Sequence, residues 1–470
     1  MKLSKSQFIV FSIISVIFIL IQAKGLDYLT TGDENVYFYM AKSVAEGQVP
    51  YRDFFYAHPP VHLLILAGIT KIFGLNFIVL KSAELLALLI ASFFLYKTAI
   101  FLFRNKLNIQ NADSISALAL ILFLSSFEIL LRGTFAMGVN FALMFLMISF
   151  YFIFTERYFI GGLFAGLAGM TRFYALPPLI AVFLFVFMKD VLEKKIKNFF
   201  IMVLGFLLAF GLPFAFLYLL FDHKFIDPVI TYHFLKPKLP NQRMIVYKAA
   251  MYQNWPVFLA FLSSLFIKKK KILRLFYLVI LAQIGFILLL NVPVEFYFSI
   301  AFPFMAIIGG FAILEIFNKL NFSKYFKYLM MALICAVFLW NFAADIIFLE
   351  KAGFQELAPL PEMTNVLLKS EPNKLIFGDD SIVPLLALKS NRKIAMNFID
   401  SNGMRFTTGL VFFDFFSDQL NNEDLSYIVL RKGKGIYQIE QFRQYAEKRC
   451  KLENQYFDRL EGSFLMYKCG

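Results

Sequence analysis

Two adjacent carboxylates, Asp33 and Glu34, are the side chains of this sequence best suited to acid–base chemistry. They open a run rich in Tyr and Ala that ends at Glu46 and Gly47. A carboxylate can take a proton from a hydroxyl group, and a pair of carboxylates can also contribute to a divalent cation site. The plainer alternative is that the two acids only begin a helix, where the helix dipole stabilises negative charge. The helices and loops predicted around Asp33 and Glu34 help to distinguish these two interpretations.

The composition indicates a membrane protein with several spans. The chain has 470 residues, of which 60% are hydrophobic and 17% are charged, whereas about a quarter are charged in ordinary soluble proteins. Its 62 Phe residues are easier to accommodate in lipid than in a soluble core. These values exclude fibrous, disordered and compact cytosolic classes. We attribute the net charge of +14 to Lys and Arg retained in cytoplasmic loops, and we expect no nucleic-acid partner.

Uncharged segments recur along residues 1–348, and we predict a transmembrane domain of about eleven helices there. The basic turns, including Lys268–Lys271, place the N-terminus in the cytoplasm of a multi-pass cell-membrane protein. We interpret the first segment as a retained anchor, although a cleaved signal peptide would have a similar pattern. The predicted crossings are residues 6–23, 85–103, 115–131, 135–155, two within 158–188, 198–221, 249–267, 275–294, 296–314 and 328–344.

Arg172 is the only charge in the long apolar stretch 158–188, and basic residues flank both ends of that stretch. Equal basic signals at the two ends require an even number of crossings. The stretch therefore predicts two helices that turn near Arg172 on the outer side. Glycines at 162, 166 and 169 predict close helix packing in the first of them.

Residues 349–470 differ in composition, with 16 basic and 16 acidic residues and so no net charge. The parity of the crossings predicts that this tail is a small extracytoplasmic α/β domain. Within it we expect strands at 375–377 and 427–430 and a helix at 438–449. Cys450 and Cys469 could pair in an oxidising compartment, but the spacing alone leaves this open.

The predicted first outer loop, residues 24–77, combines the acid pair with a Pro-Tyr-Arg-Asp turn at 50–53 and a Pro-Pro pair at 59–60. In this combination it resembles the first extracytoplasmic loop of the GT-C glycosyltransferases. More narrowly, it is similar to that loop in dolichyl-phosphate-mannose protein mannosyltransferases and lipid A aminoarabinose transferases. Segments 161–172 and 295–303 support the resemblance, which extends over about the first 310 residues in organisation. It implies a membrane enzyme that moves a sugar from a polyprenyl-phosphate donor to a protein, lipid or glycan acceptor outside the cytoplasm.

The resemblance also implies roles for individual residues. Asp33 would be the general base of an inverting transfer, while Glu34 would orient it or help to hold a divalent metal ion. Arg172, Arg132 and His58 would meet the donor phosphate. Relatives commonly carry Lys at the positions of His58 and Arg172. The role of His58 therefore stays open: it could bind the donor phosphate, or it could bind a metal ion together with Asp33 and Glu34.

Five other residues are expected to line the substrate cavity, and some of them have simpler explanations. Glu128 lies four residues before Arg132 and can pair with it on one helix face. His233 fits a surface position, and Tyr297 fits an interfacial aromatic anchor equally well. The expected cavity residues are Tyr37, Glu128, His233, Glu295 and Tyr297.

Two rival functions follow from the same sequence. A flippase for lipid-linked sugars, or another secondary transporter, should place ionisable groups near the midplane and often has repeated halves. A non-catalytic receptor would leave the acidic loop unexplained. The identity of the sugar, the acceptor and any metal is not specified by these residues.

Overall fold

The computed structural model describes residues 3–238, 241–267, 273–319 and 323–470, and it is mostly helical. The chain packs into two compact units. The helical unit contains Met1–Leu26, Lys81–Phe216 and Leu239–Gly353. The mixed unit contains Asp27–Leu80, Leu217–Lys238 and Phe354–Gly470. The expected first outer loop and the expected tail domain therefore contribute to the same unit.

The α-helices before residue 354 follow one another with short connections. In chain order they are α1 Lys5–Asp27, α2 Asp33–Ala45, α3 Val61–Phe73, α4 Phe77–Ile100, α5 Ala112–Leu124, α6 Phe127–Arg132, α7 Val139–Phe154, α8 Tyr158–Thr171, α9 Leu176–Leu192, α10 Lys197–Phe206, α11 Leu212–Phe221, α12 His223–Ile226, α13 Tyr232–Leu235, α14 Gln242–Gln253, α15 Trp255–Ser263, α16 Leu273–Leu289, α17 Phe302–Lys319 and α18 Lys324–Phe348. π-helical turns extend α4 over Phe101–Lys106 and α18 over Leu349–Gly353, and another joins α10 to α11 over Leu207–Gly211.

The tail alternates helices with strands. Its elements are α19 Leu360–Lys369, β1 Leu375–Gly378, α20 Val383–Ser390, α21 Met404–Thr407, α22 Phe413–Asn421, β2 Leu425–Arg431, α23 Glu440–Arg449, β3 Cys450–Asp458 and β4 Gly462–Cys469.

Each of the eleven predicted crossings coincides with an apolar helix or helix pair. Among the described residues, six helical stretches are long and apolar enough to cross a bilayer, beginning at Lys5, Phe77, Phe173, Lys197, Phe302 and Leu329. Shorter apolar helices account for the remaining segments. The positions of the helices are confirmed, while the number and direction of the crossings stay predictions. The predicted basic turn Lys268–Lys271 lies outside the described residues.

The helical conformation is interrupted at Arg172, where the sequence predicts a turn between two helices. Helix α8 ends at Thr171, and α9 begins at Leu176 after a 3₁₀ turn. Prolines at the start of α9 are compatible with this break, because the first turn of a helix needs no amide donor there. The prediction of two helices is therefore confirmed.

Glycines bring the backbones of α8 and α10 into direct contact. A Cβ atom on Gly162 would lie 2.0 Å from the carbonyl oxygen of Met202. A Cβ atom on Gly205 would lie 2.3 Å from the carbonyl oxygen of Phe159. These distances are far below van der Waals contact, so neither position has space for a side chain. The close packing predicted from the glycine spacing is confirmed.

The tail contains a four-stranded sheet in the order β1-β2-β4-β3. Strands β1 and β2 are parallel, whereas β4 is antiparallel to both β2 and β3. The two predicted strands and the predicted helix are present, whereas β3 and β4 were not predicted. Cys450 and Cys469 face each other across the β3–β4 pair and form a disulfide.

We expect Gly162→Ala to lower the thermal unfolding midpoint of the purified protein. The added methyl group forces α8 and α10 apart, and overpacking of this kind costs about 1–3 kcal/mol. Gly285→Ala is the matched control, because Gly285 lies in α16 and a Cβ atom added there would have no neighbour within 4 Å. Equal midpoints for the two variants would contradict the close contact between these helices.

Candidate active site

Asp33 is the first residue of α2 and is exposed, whereas the residues that follow it from Glu34 to Ala41 are buried. Glu34 has only 3% of its surface exposed. Of the two adjacent carboxylates, Asp33 is therefore the one that can meet a substrate. The position at the first turn also stabilises its negative charge.

The N-terminus of α2 is held by the backbone carbonyl of Ser381, which lies in the tail just after β1. The amide of Gly32 donates to this oxygen at 3.0 Å, and the side-chain amide of Asn35 donates to it at 2.8 Å. Asn35 is fully buried and also donates to the carbonyl of Thr30 at 2.8 Å. Three hydrogen bonds thus fix the backbone on both sides of Asp33.

Ser381 is in turn oriented by a buried charged network. The Oδ1 atom of Asp379 accepts a hydrogen bond from the amide of Ser381 at 3.1 Å and another from its hydroxyl group. Its Oδ2 atom lies 3.9 Å from Nε of Arg431, which donates from Nη1 to Glu461 at 2.9 Å. We call Asp379, Ser381, Arg431 and Glu461 the positioning network. It connects the sheet of the tail to the residue expected to be the base.

Gly435 leaves space for this network. Its φ angle is +55°, and a Cβ atom there would lie 2.2 Å from Oδ2 of Asp379. A side chain at this position would both strain the backbone and collide with the carboxylate.

Two further carboxylates, Asp380 and Asp400, act electrostatically on the same groups as Asp33. Burial raises the pKa of Asp380 well above its ordinary value, and the charges of Asp379, Asp400 and Asp33 raise it further. Burial also raises the pKa of Tyr232, with the negative charges of Asp400 and Asp380 adding to the shift. We call Asp33, Asp380 and Asp400 the carboxylate cluster. Its members come from the first loop and from two turns of the tail.

Two cations balance the carboxylate cluster. Burial lowers the pKa of Lys236, while Asp400 and Asp33 oppose that shift. Burial likewise lowers the pKa of Arg405 to about 10, again against the attraction of Asp400. Arg405 therefore remains mostly protonated at neutral pH. The cluster is an acidic site with internal counter-charges.

Arg405 also joins the first loop to the tail by stacking. Its guanidinium group lies 4.1 Å from the ring centre of Phe55 and 3.9 Å from that of Phe398, and it donates to the carbonyl of Asp400. Cation–π contacts of this kind are strongest when the cation is desolvated, as it is here.

The stacking continues to the segment after α12. The ring of Phe55 packs edge-on against Tyr232 at 5.5 Å, and Nζ of Lys236 lies 4.5 Å from the centre of the Tyr232 ring. This series of contacts places the segment from Tyr232 to Lys236, which includes α13, next to the first outer loop.

His58 lies in a group of aromatic and imidazole rings on the first loop. Its ring is 6.1 Å from Tyr37, 5.9 Å from Tyr56 and 5.5 Å from His233. His233 is half-buried and shares a 2.7 Å hydrogen bond with the carbonyl of Ala57. The structure therefore brings together three of the expected site residues, Tyr37, His58 and His233.

In the helical unit, one peptide bond is held from both sides by ionisable groups. The carbonyl of Met137 accepts from Nε of Arg172 at 2.8 Å, and the amide of Gly138 donates to Oε1 of Glu84 at 3.1 Å. Arg172 is 1% exposed and Glu84 is fully buried. Gly138 adopts the left-handed conformation with φ of 72° at the start of α7. We call this arrangement the peptide clamp.

Four other expected site residues, Glu128, Arg132, Glu295 and Tyr297, also lie in the helical unit. Arg132 donates from Nε to Glu128 at 2.7 Å, so the helix-face pairing considered for these two residues is present. The guanidinium of Arg132 lies 5.0 Å from the ring centre of Phe296 and keeps 21% of its side-chain surface exposed. Tyr297 packs against Tyr174 at 4.9 Å, and Glu295 begins the short 3₁₀ helix that carries it.

Several of these residues were not predicted from the sequence, although the positions of two of them in the sequence indicate a ligand site. Asp379 and Asp380 directly follow the correctly predicted strand β1, and the carboxyl ends of parallel strands are common ligand sites. The crossing predicted from residue 85 leaves Glu84 just outside it, whereas α4 begins at Phe77 and contains Glu84. Asp400, Arg405, Tyr232 and Lys236 had no local signal, because only the tertiary fold brings them together.

Asp33, Glu34 and His58 are the residues that the sequence leaves as possible ligands of a divalent metal ion. Within the described residues, no three side chains of His, Cys, Asp or Glu are arranged to hold a metal ion. A metal site at Asp33, Glu34 and His58 stays a prediction, and we derive no chemical step through a metal.

The fold and part of the sequence match known transferases. Residues 57–220 match the family model of dolichyl-phosphate-mannose-protein mannosyltransferases. The chain is similar to ArnT from Cupriavidus metallidurans bound to undecaprenyl phosphate, with a TM-score of 0.68 and 11% identity over 99% of this chain and 98% of ArnT. It shares the fold of ArnT.

The apo state of ArnT gives a similar result, with a TM-score of 0.65 and 11% identity over 98% of this chain and 97% of ArnT. No curated protein matches the sequence. The match of residues 57–220 and the shared fold of ArnT confirm the resemblance to these transferases noted in the sequence. The matched region begins after Asp33 and Glu34, so the family match does not extend to these two residues.

We expect Asp379→Asn to loosen the N-terminus of α2. The amide cannot replace both the charge that faces Arg431 and the acceptor that orients Ser381, so the carbonyl of Ser381 no longer holds Gly32 and Asn35 firmly. Hydrogen exchange at residues 32–36 should become at least several-fold faster. Asp424→Asn is the control, because Asp424 is an exposed partner of Lys374 in the same tail. Unchanged exchange in Asp379→Asn would show that the positioning network does not hold α2.

Proposed function

We propose that this protein transfers a sugar from a polyprenyl-phosphate donor to a hydroxyl or amine acceptor on the extracytoplasmic side, with Asp33 as the general base. The observation that carries the proposal is the exposure of Asp33 alone at the start of an otherwise buried helix whose end is fixed by three hydrogen bonds. A fixed and accessible carboxylate is what proton abstraction from an acceptor requires.

The proposed reaction is a single displacement. The Asp33 carboxylate takes the proton of the acceptor while the acceptor oxygen or nitrogen bonds to the anomeric carbon of the sugar. The bond from that carbon to the phosphate oxygen breaks, and polyprenyl phosphate leaves with both bonding electrons. Attack opposite the leaving group inverts the anomeric configuration.

The carboxylate cluster supports this role for Asp33. The raised pKa of Asp380 favours its protonated form, so it can donate a hydrogen bond to the sugar or acceptor while Asp33 accepts a proton. Acid–base sites typically place neighbouring carboxyl groups in different environments, so that their pKa values differ. Lys236 and Arg405 offset the cluster's negative charge.

Arg132 is our candidate for the donor phosphate. Its guanidinium keeps exposed surface and faces Phe296, which is suited to hold a planar cation beside an apolar lipid. The family resemblance implies that Arg172 shares this role, but its buried contact with Met137 favours a positioning role in the peptide clamp.

The disulfide supports an extracytoplasmic tail. Disulfides form and persist in oxidising compartments and are rare in the cytosol. The pair Cys450–Cys469 therefore favours the same side that the parity of basic turns predicts for residues 349–470.

We expect Asp33→Asn to reduce sugar transfer by about 100-fold or more, the usual range for loss of a general base. Transfer is measured with radiolabelled undecaprenyl-phosphate mannose and undecaprenyl-phosphate aminoarabinose as donor probes and with membranes of a deletion strain as acceptor. Asp414→Asn is the matched control, because Asp414 is also an exposed Asp in the first turn of a helix. Full activity of Asp33→Asn would exclude Asp33 as the base. Retention of the donor's anomeric configuration would exclude the single displacement.

We expect removal of Arg132 and of Arg172 to have different effects. Glu128→Gln/Arg132→Gln, which leaves no buried unpaired charge, should raise the KM for the donor with little change in unfolding midpoint. Arg172→Gln should instead lower the midpoint, because the Met137 carbonyl loses its charged donor. A large loss of stability in the first variant, or an unchanged midpoint in the second, would contradict this assignment.

A further inference from the structure

A cavity lies in the helical unit, among residues that the proposed reaction does not use. Its volume is about 660 Å³. It is bounded by the end of α7, the start of α8, the end of α9, the start of α16 and the π-helical turn after α4. The apolar part of its wall is formed by Ile153, Phe154, Phe185, Val186, Leu192 and Leu275.

Basic side chains and a tyrosine line the rest of this cavity. Lys106, Lys189 and Tyr158 lie in the wall together with Glu156 and Glu193. Lys106 donates to Glu156 at 2.9 Å, and Lys195 donates to Glu193 at 3.3 Å. The two acids are therefore already neutralised.

The region around the cavity carries an excess of positive charge. Lys106, Lys189 and Lys195 all act on Glu156 and lower its pKa, with the hydrogen bond from Lys106 as the main cause. Arg157, Lys194 and Lys197 are close in sequence, which gives six basic against three acidic residues, Glu156, Asp190 and Glu193. The positive-inside rule assigns such an end of a membrane helix bundle to the cytoplasmic leaflet.

We propose that this cavity binds an anionic phospholipid of the cytoplasmic leaflet. In this proposal Lys189, and Lys106 from beside its ion pair with Glu156, contact its phosphate group, and the apolar wall takes the upper part of an acyl chain. Basic pockets between membrane helices on the cytoplasmic side are suited to such headgroups, and the apolar wall distinguishes a lipid from a soluble phosphate. The charge excess selects anionic over zwitterionic lipid. The bound lipid would contact the four helices and the π-helical turn that line the cavity.

The proposal is tested with the delipidated full-length protein in detergent. Dioleoylphosphatidylglycerol should raise the thermal unfolding midpoint more than dioleoylphosphatidylcholine does, and the difference should shrink at high salt. In Lys106→Gln/Lys189→Gln the difference between the two lipids should disappear. Lys432→Gln/Lys448→Gln, which removes two exposed lysines of the tail, is the control and should respond like the wild type.

Native mass spectrometry gives a second measurement that does not depend on the stability of the variants. The wild type should retain phosphatidylglycerol in preference to phosphatidylcholine, and Lys106→Arg/Lys189→Arg should keep that preference. Equal effects of the two lipids on the wild type would overturn the proposal. So would an undiminished preference for phosphatidylglycerol in the Gln double variant. Neither result depends on Asp33 or on the transfer reaction.

Discussion

The backbone carbonyl of Ser381 is the acceptor on which the geometry of the candidate active site depends. It receives donors from the residue before Asp33 and from the side chain two residues after it. A carbonyl oxygen has two acceptor positions, and both are used to hold one end of a helix. The buried Asp379 orients Ser381 by two hydrogen bonds, and Arg431 at 3.9 Å offsets its charge, so the network supports the helix end. The tail is therefore part of the machinery around Asp33.

The sequence predicted the elements better than their assembly. Apolar length located the membrane helices, and equal basic flanks predicted the break at Arg172, because both signals act within one segment. The acid pair was recognised by its position at a helix start, and the structure distinguishes an exposed Asp33 from a buried Glu34. Asp400, Arg405 and Lys236 were not predicted because nothing local marks them. Their common feature is a position in space produced by pairings across more than 150 residues of chain.

Glu84 and Arg172 show why a charge within an apolar segment needs its partners before it can be interpreted. Ionisable groups in membrane helices are often part of a transport pathway, which was the main rival interpretation of this chain. Here both groups form hydrogen bonds to the same peptide bond, between Met137 and Gly138. Gly138 lies just before α7 and has a left-handed backbone conformation. These contacts give the two residues a structural role that needs no moving ion. The rival interpretation therefore gains no support from them.

The strand order of the tail has a consequence for how the protein is made. Strand β4 is the latest of the four along the chain, yet it lies between β2 and β3, and the turn before it carries Glu461, the partner of Arg431. The sheet cannot close around its centre until this strand has been synthesised. A chain that ends before residue 461 contains Asp33 but lacks Glu461, the final member of the positioning network. Arg431 therefore gains its partner in the positioning network only after the last turn of the tail has been made.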